Sequence, residues 1–96
     1  MHNIRFCNRK NIGKKFNRKL RINNKFPAII YSKKIKEIPI IIHNNEMINI
    51  NLKNFFEKKY KLINEKNKIF EVKIIDIQYH PYKITKIYHI DFLFIQ

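Results

Sequence analysis

Between Phe70 and Tyr79 the apolar residues alternate, but the alternation slips by one half-way. Phe70, Val72 and Ile74 hold one phase; Ile75, Ile77 and Tyr79 hold the other. Period-two alternation marks a strand with one face buried. A change of phase inside a single strand calls for an extra residue, and the bulge it makes bends the strand, as at a barrel corner. A sheet bent this way tends to close on itself. No other feature of the chain narrows the fold as much.

The remaining segments suit such a sheet. Residues 3–9 alternate weakly, with Ile4 and Phe6 on one face and Arg5, Cys7 and Arg9 on the other. Residues 26–31 read as a short strand, with Pro27 tolerated near its start or on an edge, and residues 38–42 as another. Residues 57–64 pair with 69–79 around a turn at 65–68, and in the last strand His89 and Asp91 face opposite to Tyr88, Ile90, Phe92 and Phe94. Two helices are expected. From Lys14 to Asn24, Phe16 and Leu20 form an i, i+4 apolar pair. Further on, Asn44 or Asn45 is suited to cap a helix carrying Met47, Ile48, Leu52 and Phe55 on its apolar side. At 96 residues the chain supports one core. The expectation is a mainly β single domain over residues 1–96: a small closed six-stranded barrel with about two short α-helices packed outside.

Charge then says what the barrel meets. The formal net charge is +14, far beyond what solubility needs, and favours a polyanionic partner through counterion release. Ile, Lys and Asn make up about half the chain, a compositional drift that discounts the total. Drift does not explain the distribution. Residues 1–36 hold twelve Lys or Arg and no acid, so +12 of the charge sits before Glu37, and all four arginines fall at or before Arg21. Guanidinium forks bind phosphates and guanine edges in pairs of hydrogen bonds, which Lys cannot do. Lys14, Arg18, Arg21 and Lys25 make a cationic stripe at helical spacing. A merely solvated helix face would carry acids too, so the stripe reads as RNA-facing. Mutual repulsion along it predicts a helix that is loose until an anion arrives.

Catalysis finds no support. Cys7 is the only cysteine and lies on a strand, Ser32 is the only serine and lacks a glycine-rich elbow, and the four histidines have no metal-ligand spacing. One cysteine also rules out an internal disulfide and suits a reducing cytosol. No apolar signal region precedes the basic segment, and the Ile38–Ile42 cluster is too short to span a bilayer. Phe16, Leu20 and Ile22 are too small a face for interfacial anchoring. The expectation is a soluble, cytoplasmic, non-catalytic protein, monomeric when free, with no cofactor, metal, membrane or small-molecule substrate.

Several short stretches, taken in order, carry a resemblance: Gly13-Lys14, Arg18-Lys19-Leu20-Arg21, Asn24-Lys25-Phe26-Pro27-Ala28-Ile29-Ile30-Tyr31, Asp76-Ile77-Gln78, His80-Pro81-Tyr82-Lys83 and His89-Ile90-Asp91-Phe92. Together, from about Arg9 to Phe92, they resemble the bacterial large-subunit ribosomal protein of the L-twenty-five family, which binds 5S rRNA, in its short form. The resemblance implies a six-stranded barrel docked on the non-Watson–Crick internal loop of 5S rRNA, loop E. It implies that Arg9, Lys14, Asn17, Arg18 and Arg21 of the basic segment contact RNA, with Tyr31, Gln78, His89 and Asp91 of the barrel. The partners implied are 5S rRNA and the large ribosomal subunit, with contacts to neighbouring ribosomal proteins left open.

By themselves some of these residues read differently. Tyr31 equally suits the end of a core strand, a His–Asp pair at i, i+2 is more often a surface ion pair, and residues 80–83 read as a structural turn. The resemblance changes the second reading, because Asp accepts from a 2′-hydroxyl or base amino group where a phosphate would repel it. The chain departs from the family pattern at three places. Tyr31-Ser32-Lys33 stands where Tyr-Gly-Gly is frequent, Asn17 where a small hydroxyl residue is common, and Ile75 where a polar residue is common, which removes one hydrogen bond. The competing reading is a generic basic RNA-binding or RNA-chaperone module without 5S specificity.

Overall fold

The computed structural model describes residues 2–8, 18–20, 22–34, 36–48, 50–80, 82 and 86–95. Its strands are β1 (His2–Arg5), β2 (Cys7–Asn8), β3 (Lys25–Tyr31), β4 (Ile38–His43), β5 (Lys59–Ile63), β6 (Ile69–Tyr79) and β7 (Ile87–Phe94). All belong to one sheet, ordered β1-β5-β6-β7-β3-β4-β2. β1 runs parallel to β5 and β3 parallel to β7; the other pairings are antiparallel.

Seven strands replace the expected six because the N-terminal segment changes partner. Ile4 and Phe6 both point into the core, yet residues 2–5 pair with β5 and Cys7 and Asn8 pair with β4. Phe6 is the corner, and its N–H donates to the Ile63 carbonyl at 2.9 Å. The two edges of the sheet are therefore one stretch of chain, and the barrel is nearly closed.

The expected phase slip is present as a bulge in β6. Ile74 pairs with Phe92 and Asp76 with Asp91, so Ile75 has no opposite number on β7. Val72, Ile74 and then Ile77 face inward. Ile75 itself does not share the inward phase assigned to it: as the extra residue it is 51% exposed. A second shift, between Gln78 and Tyr79, leaves Tyr88 unmatched on β7. The core comprises Ile4, Phe26, Ile30, Leu62 and Phe92 with their neighbours, and Tyr60 is fully enclosed among them. Burying each large apolar side chain contributes about 1.5–3 kcal/mol.

Residues 44–55 do not form the expected single helix. They contain a 3-10 turn at Asn44–Met47, with a second at Phe55–Glu57. The first is capped not by Asn44 or Asn45 but by His43, whose Nδ1 accepts from the Asn45 N–H. Asn54 adopts left-handed backbone angles, φ 56° and ψ 41°, which end any regular helix there. Met47 stays buried, but Ile48, assigned to the apolar side, is exposed. Of the expected helix over Lys14 to Asn24, a helical turn at 18–20 is described, with Leu20 buried. Phe16, Gly13 and the start of that helix lie outside the described residues.

Candidate nucleic-acid interface

Alternation along β7 decides which side chains leave the barrel. Ile90 and Phe92 are fully buried, so His89 and Asp91 between and beside them face outward. On one side, antiparallel pairing sets Gln78 opposite His89 and Asp76 opposite Asp91. On the other, parallel pairing sets Ile29 beside Asp91 and Tyr31 beside Leu93. Tyr31, Gln78, His89 and Asp91 are thus gathered on the outer face of three adjacent strands. The bulge makes this possible: without the extra residue at Ile75, Gln78 would turn into the core and Ile77 out of it.

His89 Nδ1 lies 3.3 Å from Asp91 Oδ1, with the two side chains only 21% and 24% exposed. The two groups sit side by side on the outer face of β7, a carboxylate next to an imidazole. The Tyr31 phenol is pushed up from its ordinary value, mainly by burial and then by the negative charges of Asp91 and Glu37. At neutral pH it remains a hydroxyl that both donates and accepts. The face therefore offers a carboxamide, an imidazole, a phenol and a carboxylate. It is a hydrogen-bonding surface, able to read hydroxyls and base edges, more than a cationic one.

Asp76 was not singled out as a contact in the sequence. It is exposed, on the same face, across from Asp91. Two facing carboxylates repel phosphate, so a ligand here must present donors to them. The strand pairing that brings them together is not visible in a single sequence.

The cationic part is joined to this barrel at a defined hinge. Arg18 is exposed on the turn whose Leu20 is buried. The Asn23 N–H donates to the Leu20 carbonyl at 3.0 Å, and Asn24 follows with φ 61°, a left-handed position that ends the turn. The Asn24 carbonyl accepts from the Asn44 backbone N–H at 2.9 Å and from Asn44 Nδ2 at 3.3 Å. Its Nδ2 donates to Asn45 Oδ1 at 3.4 Å. These bonds tie the end of the basic segment to the 3-10 turn after β4. Arg9, Lys14, Asn17 and Arg21 lie outside the described residues.

Among the described residues, groups that could do chemistry do not converge. Burial and the nearby carboxylate of Glu65 push the Cys7 thiol up, away from a reactive thiolate. The Ser32 hydroxyl accepts from the Lys34 N–H at 3.3 Å. No cluster of three or more metal-ligating side chains occurs among the described residues. The turn read at 80–83 closes with the His80 N–H donating to the Lys86 carbonyl at 3.0 Å, while the Tyr82 N–H donates to His80 Nδ1 at 3.1 Å. Pro81 and Lys83 are outside the described residues. No described helix is long and apolar enough to cross a membrane.

The Ribosomal L25p family model matches residues 4–92. The chain is 42% identical over 88 residues to the large ribosomal subunit protein bL25 of Buchnera aphidicola subsp. Acyrthosiphon pisum (strain Tuc7), covering 92% of each chain. It is 49% identical over 83 residues to the protein of the same name from Buchnera aphidicola subsp. Baizongia pistaciae (strain Bp), covering 84% of each. With the counterpart from Buchnera aphidicola subsp. Schizaphis graminum (strain Sg) it shares 40% identity over 82 residues, 85% of this chain and 84% of that one.

Proposed function

The chain belongs to the ribosomal L25p family, and we propose that it is a structural constituent of the bacterial large ribosomal subunit that binds 5S rRNA at loop E. It does so in the cytoplasm, without catalysis. Two parts act together. The basic segment, with Arg9, Lys14, Asn17, Arg18 and Arg21, meets phosphates and supplies affinity that is nearly independent of sequence. The outer barrel face, with Tyr31, Gln78, His89 and Asp91, selects the RNA. An A-form minor groove presents 2′-hydroxyls and base edges, and an internal loop of non-Watson–Crick pairs presents them in a pattern that a regular duplex lacks.

The observation that carries the reading is the alignment of Gln78 with His89 and the 3.3 Å contact of His89 with Asp91 on one surface. A protein that bound RNA by charge alone would have no use for a carboxylate at the centre of its contact face. The test compares affinity for a 5S rRNA fragment containing loop E with affinity for a fully paired duplex of equal length, at matched salt. The fragment is expected to bind more tightly. Equal binding would leave only a generic basic RNA-binding module.

A further inference from the structure

Clefts on the described surface differ in how charge lines them. One mixes Glu46 and Glu65 with Arg5 and Lys25 beside Cys7, and another pairs Glu37 with Lys36 beside Tyr31. A further one, of about 430 Å³, lies at the end of the barrel where β6 stops and β7 begins. Among the described residues that line it there is no carboxylate, and Lys86 is the one charged side chain.

Two of its walls have opposite character. Ile48 and Tyr79 contribute an apolar one, yet they remain 71% and 46% exposed, which is more than a core would leave to water. Asn24, Asn44 and Asn45 contribute the other. These carboxamides are held in place by the bonds at the hinge, Asn24 Nδ2 to Asn45 Oδ1 and Asn44 Nδ2 to the Asn24 carbonyl. Each NH2 has two N–H groups and each oxygen two lone pairs, so the three carboxamides keep hydrogen-bonding capacity beyond these two bonds and line a cleft together with an aromatic ring and a cation. An apolar peptide would have no need of fixed amides, and an acidic one would need more than one cation. An unstacked nucleobase needs this combination: a flat surface to stack on, polar groups at its edge and a positive charge for its phosphate.

We propose that this cleft receives one unstacked base of the bound RNA, with Tyr79 stacking on it, the Asn carboxamides meeting its edge and Lys86 its phosphate. The site rests on the RNA-binding reading and extends it. Tyr79 directly follows Gln78, and Asn24 ends the turn that carries Arg18, so the cleft borders both parts of the proposed interface.

The test has two arms on the full-length protein. In the first, each of the four nucleoside 5′-monophosphates is titrated while the side-chain amide resonances of Asn24, Asn44 and Asn45 are followed by NMR. Those signals should move as the nucleotides are added, since a base whose edge meets the carboxamides changes their surroundings. In the second, affinity for the loop E fragment is measured for Tyr79→Ala, Ile48→Asn and Lys86→Gln. Loss of one stacked base should weaken binding about tenfold for Tyr79→Ala. Ile48→Asn, at a site already open to water, keeps the arm decisive if Tyr79→Ala melts early. Silent amides with all four nucleotides would overturn the proposal, whichever RNA the wild type prefers. Wild-type indifference to the loop fragment would instead sink only the 5S reading. Unchanged fragment affinity with lost retention on large ribosomal subunits would assign the cleft to a neighbouring protein and also overturn the proposal.

Discussion

Asp91 sets a carboxylate, three-quarters enclosed, on the face proposed to meet RNA. Its cost there is offset only where the ligand donates to it, so the role proposed for it is selection. Asp91→Ala should therefore reduce the ratio of loop-fragment to duplex affinity more than it reduces affinity for either RNA. A gain in loop affinity on removing the carboxylate would show the assignment to be wrong. Arg18 is the complementary case, exposed and cationic on the segment proposed to supply general affinity. Arg18→Ala should weaken RNA binding by about 1–3 kcal/mol, while Lys66→Ala, on the far turn, should leave it unchanged. Equal effects in a titration would mean that charge is not functionally localised. At this scale the sequence was informative where alternation governs. His89 and Asp91 could be placed on one face, because i and i+2 on a strand always share one. Asp76 could not be connected with them, since that needs the partner strand and its register.

Among elements, the junction at Asn24 has the most consequence for how the two halves of the interface sit. A left-handed φ costs an L-residue with a Cβ roughly 1–2 kcal/mol, which Asn relieves by local hydrogen bonding and glycine avoids. Asn24→Ala should lower stability by about that amount in a denaturant titration, with Asn24→Gly closer to the wild type. Strands were easier to read than helices in this chain. The slip between Ile74 and Ile75 announced the bulge because apolar phase is imposed by the core. The apolar spacing of Met47, Ile48, Leu52 and Phe55 suggested a helix that the backbone refuses. Asn51 competes for a backbone hydrogen bond, its Oδ1 accepting from the Lys53 N–H at 2.9 Å, and Asn54 takes up left-handed backbone angles. Four apolar residues were too few to outweigh that competition.

At the level of the whole molecule, burial of Tyr60 makes stability depend on alkaline pH. Its phenol is pushed up from the ordinary 10.0 by burial, so the folded state holds its proton more tightly than the unfolded state. The stabilising contribution is fully present below 10.0 and is lost as pH rises through the raised value. Tyr60→Phe should flatten the alkaline limb of a melting-temperature profile relative to the wild type. An unchanged limb would mean that the buried phenol does not control it. The closed architecture could be anticipated from a bend in one strand. The way it closes, through a segment that switches partners at Phe6, could not, because residues 2–8 alternate too weakly to reveal two partners. That manner of closing has a bearing on synthesis. His2 cannot find Tyr60, nor Cys7 find Ile41, until those later residues have been made. Cys7 and Asn8 can pair as soon as β4 has been made, whereas residues 2–5 stay without their partner until β5 follows. A chain arrested before β5 leaves β1 unpaired and the β7 side of β3 open, and is the form most exposed to chaperones and to its own kind.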